Sequence, residues 1–533
     1  MKSFFVEKKN NNLISFGGNN FVYCLFLLLS FCVFSVFSNI FSFIFSENKV
    51  DFFVNDLPQI ATYFLPVDKE VSEKILMLNE IIKEYNADKN ILKTKKQELF
   101  ELWDYITKNK EYLSKLGFTN YESIMQLLSD AYEYREEIFT LLWENQAFNY
   151  LILLENTNER RPNGWFFGSF AFVKIEGGHI KELQVVDSYL PDYIAPETRV
   201  VLPQRYQELY ETKRAGFVAG NKFGFTDLDG KNIKTLYELI FNQEYDMARV
   251  NQLLDPSKRT MLHNQYIKGI VFLNSSLLTD YLPGFQEKFR EWQFTNASVD
   301  LIRWENRNNK KELYLKEVVE YFYANLQKIL KSLILNRDSI LEKRYVQLYF
   351  SNISPDFHSF IREKKLNTYF SDHEMYFWNT IISFNKSDGF IKKTIQVFNA
   401  DTKEFVTSVQ NEILDLSELP AGNYQIQIDY DFNIPEKYVN FIHKLEEKYG
   451  IVLGEREKNI LVTSPFLDPS GNYRWKTKEM IYFPMNMTFH SAEGDLTNLK
   501  QRKVENASQI LLYDTQIEKN NDTKQVRLFF SLS

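Results

Sequence analysis

Residues 149–187 read NYLILLENTNERRPNGWFFGSFAFVKIEGGHIKELQVVD, and this stretch decides how the rest of the chain is interpreted. Its apolar runs predict three short strands, at 150–154, 166–175 and 180–186. Gly177 and Gly178 predict a tight turn that returns the third strand antiparallel to the second. A polar turn over 156–164 is predicted to join the first two strands.

The candidate site residues lie in that turn and on the strands that follow it. They are Asn156, Glu159, Arg160, Arg161, Asn163, Gly164, Ser169 and Asp187. In one role, Glu159 and Arg161 pair with each other and lock the turn, since arginine makes paired hydrogen bonds to carboxylates. We favour this role because Pro162 and Gly164 also suit a turn.

In the alternative role the same segment binds a phosphate group. Arg160 and Arg161 would bind the phosphate, while Asp187 or Asp229 would hold a divalent metal such as Mg²⁺ among oxygen ligands. Only this alternative requires a metal. With a turn-locking role the sequence predicts neither a cofactor nor a metal.

The run ENTNERRPNGWFFGSF at 155–170 resembles the signature of a bacterial family, the DUF4012 domain, whose pattern is close to QNN-x-E-x-RPTGGFIGSY. The matching positions are Asn156, Glu159, Arg161, Pro162, Gly164, Phe166, Gly168 and Ser169. GGHI at 177–180 and Asp187 correspond to a DGKI-like turn and an aspartate of that family. SFNKSDG at 383–389 is a weaker likeness, similar to the family's N-x-x-x-NKSD segment.

The resemblance spans about 70–530 and implies a surface-exposed bacterial protein behind an N-terminal membrane helix and a helical segment. It implies no particular reaction. The chain departs from the pattern at Glu155, where the family has glutamine, and at Trp165, where it has glycine. If that glycine lets a ligand approach the backbone, the side chain of Trp165 would obstruct the approach.

Residues 21–45 (FVYCLFLLLSFCVFSVFSNIFSFIF) contain no charged side chain. As a helix they would span about 37 Å, enough to cross a hydrocarbon core of ~30 Å. A buried core helix is rarely apolar on every face, and a cleaved signal peptide has a shorter apolar core. We therefore predict an uncleaved transmembrane anchor. Lysines precede it and acidic residues follow it, so residues 1–20 are predicted to be cytoplasmic and 46–533 extracytoplasmic.

Residues 67–147 are predicted to form a helical stalk. Apolar residues keep a heptad spacing along 71–106, and a capping box at 119–122 begins a second helix. Two helices joined by a short turn predict an antiparallel hairpin. The alternative is an intermolecular coiled coil through the first helix, which Lys89 and Lys96 on its seam disfavour.

The remaining chain is predicted to form two modules, which makes the fold class α+β. Predicted strands at 267–273 and 345–350 alternate with predicted helices at 275–281, 313–335 and 355–364, of which 313–335 is amphipathic. This alternation predicts a mixed α/β domain over 149–375. Along 376–533, Pro, Gly and Asn turns separate strand patterns at 378–385, 390–399, 424–432, 479–489 and 525–533. These patterns predict an antiparallel, β-sandwich-like module. One of them, EMIYFPMNMTF at 479–489, is predicted as a single strand.

Composition excludes several functions. The net charge of −7 argues against nucleic acid as a partner. Cys24 and Cys32 both lie in the apolar segment, so the rest of the chain has no thiol for a disulfide, a zinc site or a nucleophile. The G-x-S-x-G, P-loop and H-E-x-x-H motifs are absent from the sequence.

These patterns favour a single-pass, membrane-anchored extracytoplasmic protein of the cell envelope with a binding or structural role. Besides the membrane, the expected partner is a cell-wall glycan or a polyprenyl-phosphate lipid. The first alternative is a transferase acting on lipid-linked phosphate substrates, by analogy of layout with the LytR-CpsA-Psr group. A second alternative is a surface adhesin. The sequence does not decide between a binding protein and an enzyme.

Overall fold

The structure is a computed structural model that describes a large part of the folded chain. It describes residues 73–74, 76–77, 80, 94–108, 129, 132–143, 147–161, 164–176, 179–195, 200–201, 214–217, 231–242, 247–248, 250, 266–274, 276–281, 336–343, 345–364, 366, 376–381, 388–409, 413–416, 419–436, 440, 447, 466–467, 473–484, 486–504, 508–518 and 521–533. The predicted anchor at 21–45 and the predicted helix at 313–335 lie outside these residues. Within them, no helix is both long and apolar enough to span a bilayer.

Two helices, α1 (Lys96–Lys108) and α2 (Arg135–Trp143), pack against each other near the start of the described chain. Their contacts run in opposite directions, as in an antiparallel pair. The contacting pairs are Lys96–Phe139, Phe100–Arg135 and Trp103–Tyr132, and Tyr132 lies just before α2 with its ring centroid 5.8 Å from that of Trp103. The predicted helical stalk over 67–147 lies largely outside the described residues and stays a prediction.

A mixed domain follows. In chain order its elements are β1 (Phe148–Arg161), β2 (Gly164–Glu176), β3 (His179–Asp187), α3 (Leu190–Ile194), β4 (Val200–Val201), β5 (Arg214–Ala215), α4 (Lys231–Phe241), β6 (Ile267–Asn274), α5 (Ser276–Tyr281), α6 (Arg337–Glu342), β7 (Val346–Phe350) and α7 (Pro355–Glu363). Within the described part of this domain, five strands form a central sheet in the order β3-β2-β1-β6-β7. β1 and β6 are parallel, and the other neighbours are antiparallel.

Helices cover both faces of the central sheet. Tyr150 and Ile152 of β1 pack with residues of α2, α5, α6 and α7 on one face. Leu151 and Leu153 pack with residues of α3 and α4 on the other. Alternate residues of a strand point to opposite faces, so a strand buried on both sides needs apolar residues at every position. This requirement explains the uninterrupted run LILL in β1.

β1 and β2 are longer than the sequence predicts. β1 continues to Arg161 and β2 begins at Gly164, so only residues 162–163 separate them. The predicted turn over 156–164 is therefore wrong in extent. Most of the polar residues assigned to that turn belong to paired strands.

A bulge in β1 accounts for the difference. Asn156 pairs with Phe166 across β1 and β2. The next pair is Arg160 with Trp165, so residues 157–159 are extra residues on β1. A bulge accommodates unpaired residues without ending the strand, and polar residues in it resemble a turn when only the sequence is read.

Among the described residues, the C-terminal module has eleven strands. They are β8 (Tyr376–Ile381), β9 (Ile391–Asn399), β10 (Phe405–Val409), β11 (Ile413–Asp415), β12 (Gly422–Phe432), β13 (Phe466–Leu467), β14 (Tyr473–Pro484), β15 (Met487–Gly494), β16 (Thr497–Val504), β17 (Ser508–Ile517) and β18 (Asp522–Leu532). The first sandwich sheet has the order β10-β9-β12-β18-β15. The second has the order β11-β8-β14-β17-β16, with β13 paired to β14. Their inward residues share one apolar core, and every strand pair is antiparallel.

The prediction of one strand over 479–489 is wrong. β14 ends at Pro484 in the second sandwich sheet, and β15 begins at Met487 in the first. Both strands direct apolar side chains into the same core, so the apolar pattern continues through the point where the chain changes sheets. The coarser prediction of an α+β chain made mostly of antiparallel strands is confirmed.

Candidate functional site

The candidate site lies at one edge of the central sheet, which we call the carboxyl edge. The carboxyl ends of β1, β3 and β6 meet there with the start of β2, because β1 and β6 are parallel and β2 is antiparallel to its neighbours. Ligands of sheets with parallel strands bind outside the carboxyl ends of those strands. The predicted site residues on β1, β2 and β3 all lie at or near this edge.

Glu155 and Asn274 are buried neighbours at the carboxyl edge. They are register partners on β1 and β6, where adjacent strands lie about 4.8 Å apart. Glu155 is 2% exposed and Asn274 is 0% exposed. Each follows an apolar run on its strand, so both polar groups lie where the apolar core ends. Buried polar groups of this kind need hydrogen-bond partners.

Asn274 presents an amide donor at this position. Its Oδ1 accepts from the N–H of Ser276 at 2.8 Å, which fixes the side chain at the start of α5. Its own N–H donates to the carbonyl of Tyr345 at 2.9 Å. Its Nδ2 is buried and has no hydrogen-bond partner in the described part of the chain.

The end of β3 adds hydroxyl and carboxylate groups to the edge. Ser169, which is 5% exposed, is the register partner of Asp187. Ser188 is fully buried, and its N–H donates to the carbonyl of Gly168 at 3.3 Å. Its Oγ finds no hydrogen-bond partner among the described residues. The carboxyl edge therefore carries a second buried polar group without a partner of its own.

A short run of aromatic rings lies beside these groups. Tyr189 stacks against Tyr193 with ring centroids 6.3 Å apart, and Phe166 lies 6.1 Å from Tyr189. Phe166 is buried, but Tyr189 and Tyr193 are 43% and 54% exposed. The N–H of Tyr189 donates to Oδ1 of Asp187 at 2.8 Å, which holds the aromatic run against the end of β3.

The structure describes the backbone of most residues of the predicted turn, but few of their side chains. Glu159, Arg160 and Arg161 lie on β1, with Arg161 paired to Gly164 at the end of the hairpin. Their side chains lie outside what the structure describes, as does the whole of Asn163. The predicted pairing of Glu159 with Arg161 therefore stays a prediction, as does phosphate binding by the arginines.

The weaker sequence likeness lies close to the main motif. Its last two residues, Asp388 and Gly389, open a 3-10 turn over Asp388–Phe390. The Cα atoms of this turn approach those of β1 within 8 Å. Two motifs that are more than 200 residues apart in the sequence therefore meet in the fold.

A second polar group lies beyond Asn274, between α5 and β7. The hydroxyl of Tyr345 donates to Oδ2 of Asp280 at 2.6 Å, and Nζ of Lys343 lies 3.6 Å from the same oxygen. Burial, followed by the hydrogen bond and charge of Asp280, raises the pKa of Tyr345 well above its ordinary value. The hydroxyl therefore stays a donor over the physiological range and ties α5 to β7.

The described residues contain no group of three or more His, Cys, Asp or Glu side chains that could hold a metal ion. Asp229 lies outside the described residues. Asp187 is exposed, and one of its oxygens already accepts the N–H of Tyr189. A metal site at Asp187 and Asp229 stays a prediction of the phosphate-binding alternative.

Several edge residues were not predicted as site residues. They are Glu155, Asn274, Ser188, Tyr189 and Tyr193. Asn274 ends β6 and Ser188 directly follows β3, and residues at the carboxyl ends of strands are the usual ligand contacts of a sheet with parallel strands. The signal could be used only after β1 and β6 were known to be parallel neighbours.

No protein-family model, no curated protein and no solved structure matches this chain. The likeness to the DUF4012 domain therefore stays a prediction from the motif residues.

Proposed function

We propose that the chain is a membrane-anchored, extracytoplasmic binding protein of the bacterial cell envelope that holds a glycan at its carboxyl edge. The observation that carries this proposal is the exposed, stacked pair of Tyr189 and Tyr193 beside buried polar groups. The motif resemblance and the apolar segment at 21–45 support the location.

Sugars match this arrangement chemically. A pyranose ring presents a face of C–H groups, which packs on an aromatic ring, and a rim of hydroxyls, which need hydrogen-bond partners. Tyr189 and Tyr193 offer the aromatic surface. The exposed carboxylate of Asp187 offers an acceptor for a sugar hydroxyl at the same sheet edge.

Tyr189→Ala and Tyr193→Ala are each expected to weaken glycan binding about tenfold, equivalent to roughly 1.4 kcal/mol, because each removes an aromatic surface. The measurement is isothermal titration calorimetry of the full chain in detergent, with bacterial cell-wall glycan strands released by a muramidase as the probe.

Tyr266→Ala is the matched control. Tyr266 is 69% exposed but precedes β6, at the opposite edge of the central sheet. Its replacement should leave glycan affinity unchanged. Equal losses in all three variants, or glycan binding that survives Tyr189→Ala/Tyr193→Ala, would contradict the assignment of the site.

Deleting residues 1–45 is expected to release the protein from membranes, because residues 21–45 are the proposed anchor. The measurement is the fraction of the protein that stays with membranes after alkaline carbonate washing. Deleting residues 10–19 is the control, since it shortens the N-terminal segment but leaves the apolar run and all preceding lysines in place. A full-length chain that washes off with carbonate would overturn the proposed anchoring.

The two alternatives give different results in the same assays. A transferase of lipid-linked phosphate would bind polyprenyl phosphate in a magnesium-dependent manner, and Arg161→Ala would abolish that binding. An adhesin would bind neither probe and would retain its fold when surface aromatics are replaced. Glycan binding that depends on Tyr189 and Tyr193 separates the proposed function from both.

A further inference from the structure

Four polar side chains meet inside the apolar core of the C-terminal sandwich. Lys393 of β9 and Tyr430 of β12 are register partners in the first sandwich sheet. Glu479 of β14 and Tyr513 of β17 are register partners in the second. The side chains of Lys393 and Glu479 are 2% and 0% exposed, and their Nζ and Oε2 atoms lie 2.8 Å apart. One charged pair thus joins the two sheets through their shared core.

The tyrosines complete this buried polar cluster. The hydroxyls of Tyr430 and Tyr513 lie 2.6 Å apart in a hydrogen bond, and Nζ of Lys393 lies 5.5 Å from the centroid of the Tyr430 ring. Burial, followed by the negative charge of Glu479, raises the pKa of Tyr430 well above its ordinary value. Tyr430 therefore keeps its proton and acts as a hydrogen-bond donor beside the carboxylate.

An ionised pair is costly in such a core. Burial removes the hydration of both charges, and their mutual attraction compensates for only part of this free-energy cost. Transfer of one proton from Nζ to the carboxylate along the 2.8 Å contact gives a neutral amine and a neutral carboxylic acid. These two neutral groups are the reactants of amide formation.

We propose that Lys393 and Glu479 are joined by an amide bond between Nζ and Cδ, which the sandwich forms on its own after folding. Nζ of the neutral amine attacks Cδ of the carboxylic acid, and the N–Cδ bond forms. The bond between Cδ and the acid's hydroxyl oxygen breaks, and that oxygen takes one proton from Nζ and leaves as water. One amide and one water molecule replace the ammonium and the carboxylate, with no oxidant, reductant or co-reactant.

The fold supplies the approach and the proton donor. A 2.8 Å contact between Nζ and Oε2 places Nζ roughly 3.5 Å from Cδ, which is the distance of a near-attack geometry. The hydroxyl of Tyr430, itself bonded to Tyr513, can donate to the carboxyl oxygen that gains negative charge during the attack. Tyr430 also provides a path for the proton that moves to the leaving oxygen.

The bond would covalently cross-link β9 of the first sandwich sheet to β14 of the second. A disulfide cannot perform this task here, because the two cysteines of the chain are Cys24 and Cys32, in the apolar N-terminal segment. An amide also resists reduction. An amide cross-link is therefore suited to a sandwich that lies outside the cell, where damaged protein is not repaired.

The test is mass spectrometry of the full chain purified in detergent. The wild-type chain is expected to be lighter than its sequence mass by one water molecule. Trypsin should release a branched peptide in which residues 393–403 are joined to residues 479–500, because cleavage after the modified Lys393 is blocked. This peptide is sought in the wild-type protein itself, so the test does not depend on a variant that folds.

Three variants test which residues form the amide bond. Lys393→Arg should restore the full sequence mass, because a guanidinium does not form the amide, whereas Lys392→Arg at the exposed neighbouring position should keep the missing water. Tyr430→Phe should leave a fraction of molecules without the bond. A wild-type chain of full mass that yields separate 394–403 and 479–500 peptides would overturn the proposal and leave the pair as an ordinary buried ion pair.

Discussion

Lys393→Met is expected to lower the local free energy of unfolding of the C-terminal sandwich by about 3–5 kcal/mol, because it removes the proposed amide and leaves the buried carboxylate of Glu479 without a partner. Methionine replaces the aliphatic part of the lysine, so little packing volume is lost. The measurement is hydrogen exchange of the β9 and β12 amides in the full chain. Protection there should fall on the order of 100-fold or more, at tenfold for each 1.4 kcal/mol.

Two further variants isolate the cause. Lys393→Met/Glu479→Met removes both polar groups and should recover the protection that Lys393→Met loses through its unpaired carboxylate, since a buried pair can be replaced by apolar groups at little cost. The loss that comes from the missing amide should remain. Tyr430 keeps its hydrogen bond to Tyr513 in that double variant. Lys392→Met, at the exposed neighbouring position, should change stability by no more than about 0.5 kcal/mol. A double variant less stable than Lys393→Met alone would contradict this account.

Strands with a regular apolar pattern could be predicted from the sequence. β6, β7, β9, β12 and β18 all agree with their predicted positions to within a few residues. In β12 every second residue from Tyr424 to Phe432 is buried, so the period of two is visible in the sequence itself. The short helices α5 and α7 were also predicted, and α7 carries a Ser354 cap whose Oγ accepts from the N–H of Phe357 at 3.2 Å.

Changes of sheet could not be predicted in the same way. The chain leaves the second sandwich sheet after Pro484 and joins the first at Met487, yet both strands face one core. A periodic apolar pattern in the sequence indicates which side chains are buried. It does not indicate which sheet a strand joins through its backbone hydrogen bonds. β17, a central strand of the second sandwich sheet, was not predicted either, because polar Asp514, Thr515 and Gln516 interrupt its apolar run.

The sequence predicted a candidate site on β1, β2 and β3, and its role stays a prediction. The motif residues drew attention to the end of β1, and the structure places buried polar residues there. Asn274 lies more than 100 residues beyond Glu155 in the chain, and only the parallel pairing of β1 with β6 makes them neighbours. The polar residues 157–159 indicated a turn because a bulge and a turn tolerate the same side chains.

Gly494→Ala is expected to destabilise the connection between the two sandwich sheets by about 2–4 kcal/mol, because two separate costs combine. Gly494 ends β15 with φ +102°, a conformation that residues with a Cβ rarely adopt. A Cβ at this position would also lie 2.2 Å from the backbone carbonyl oxygen of Gln525. That oxygen is part of β18 and cannot move without disturbing the pairing of β18 with β12 and β15.

The hydrogen bonds around Gly494 make the effect local and measurable. The N–H of Asp495 donates to the same Gln525 oxygen at 2.8 Å, and Oδ2 of Asp495 accepts from the N–H of Gln525 at 3.0 Å. Hydrogen exchange should therefore accelerate at Asp495 and Gln525 before it accelerates in β9. Gly422→Ala is the matched control, since a Cβ there meets its nearest atom at 3.8 Å. Equal effects from the two alanines would show that loss of glycine, and not this turn, sets the cost.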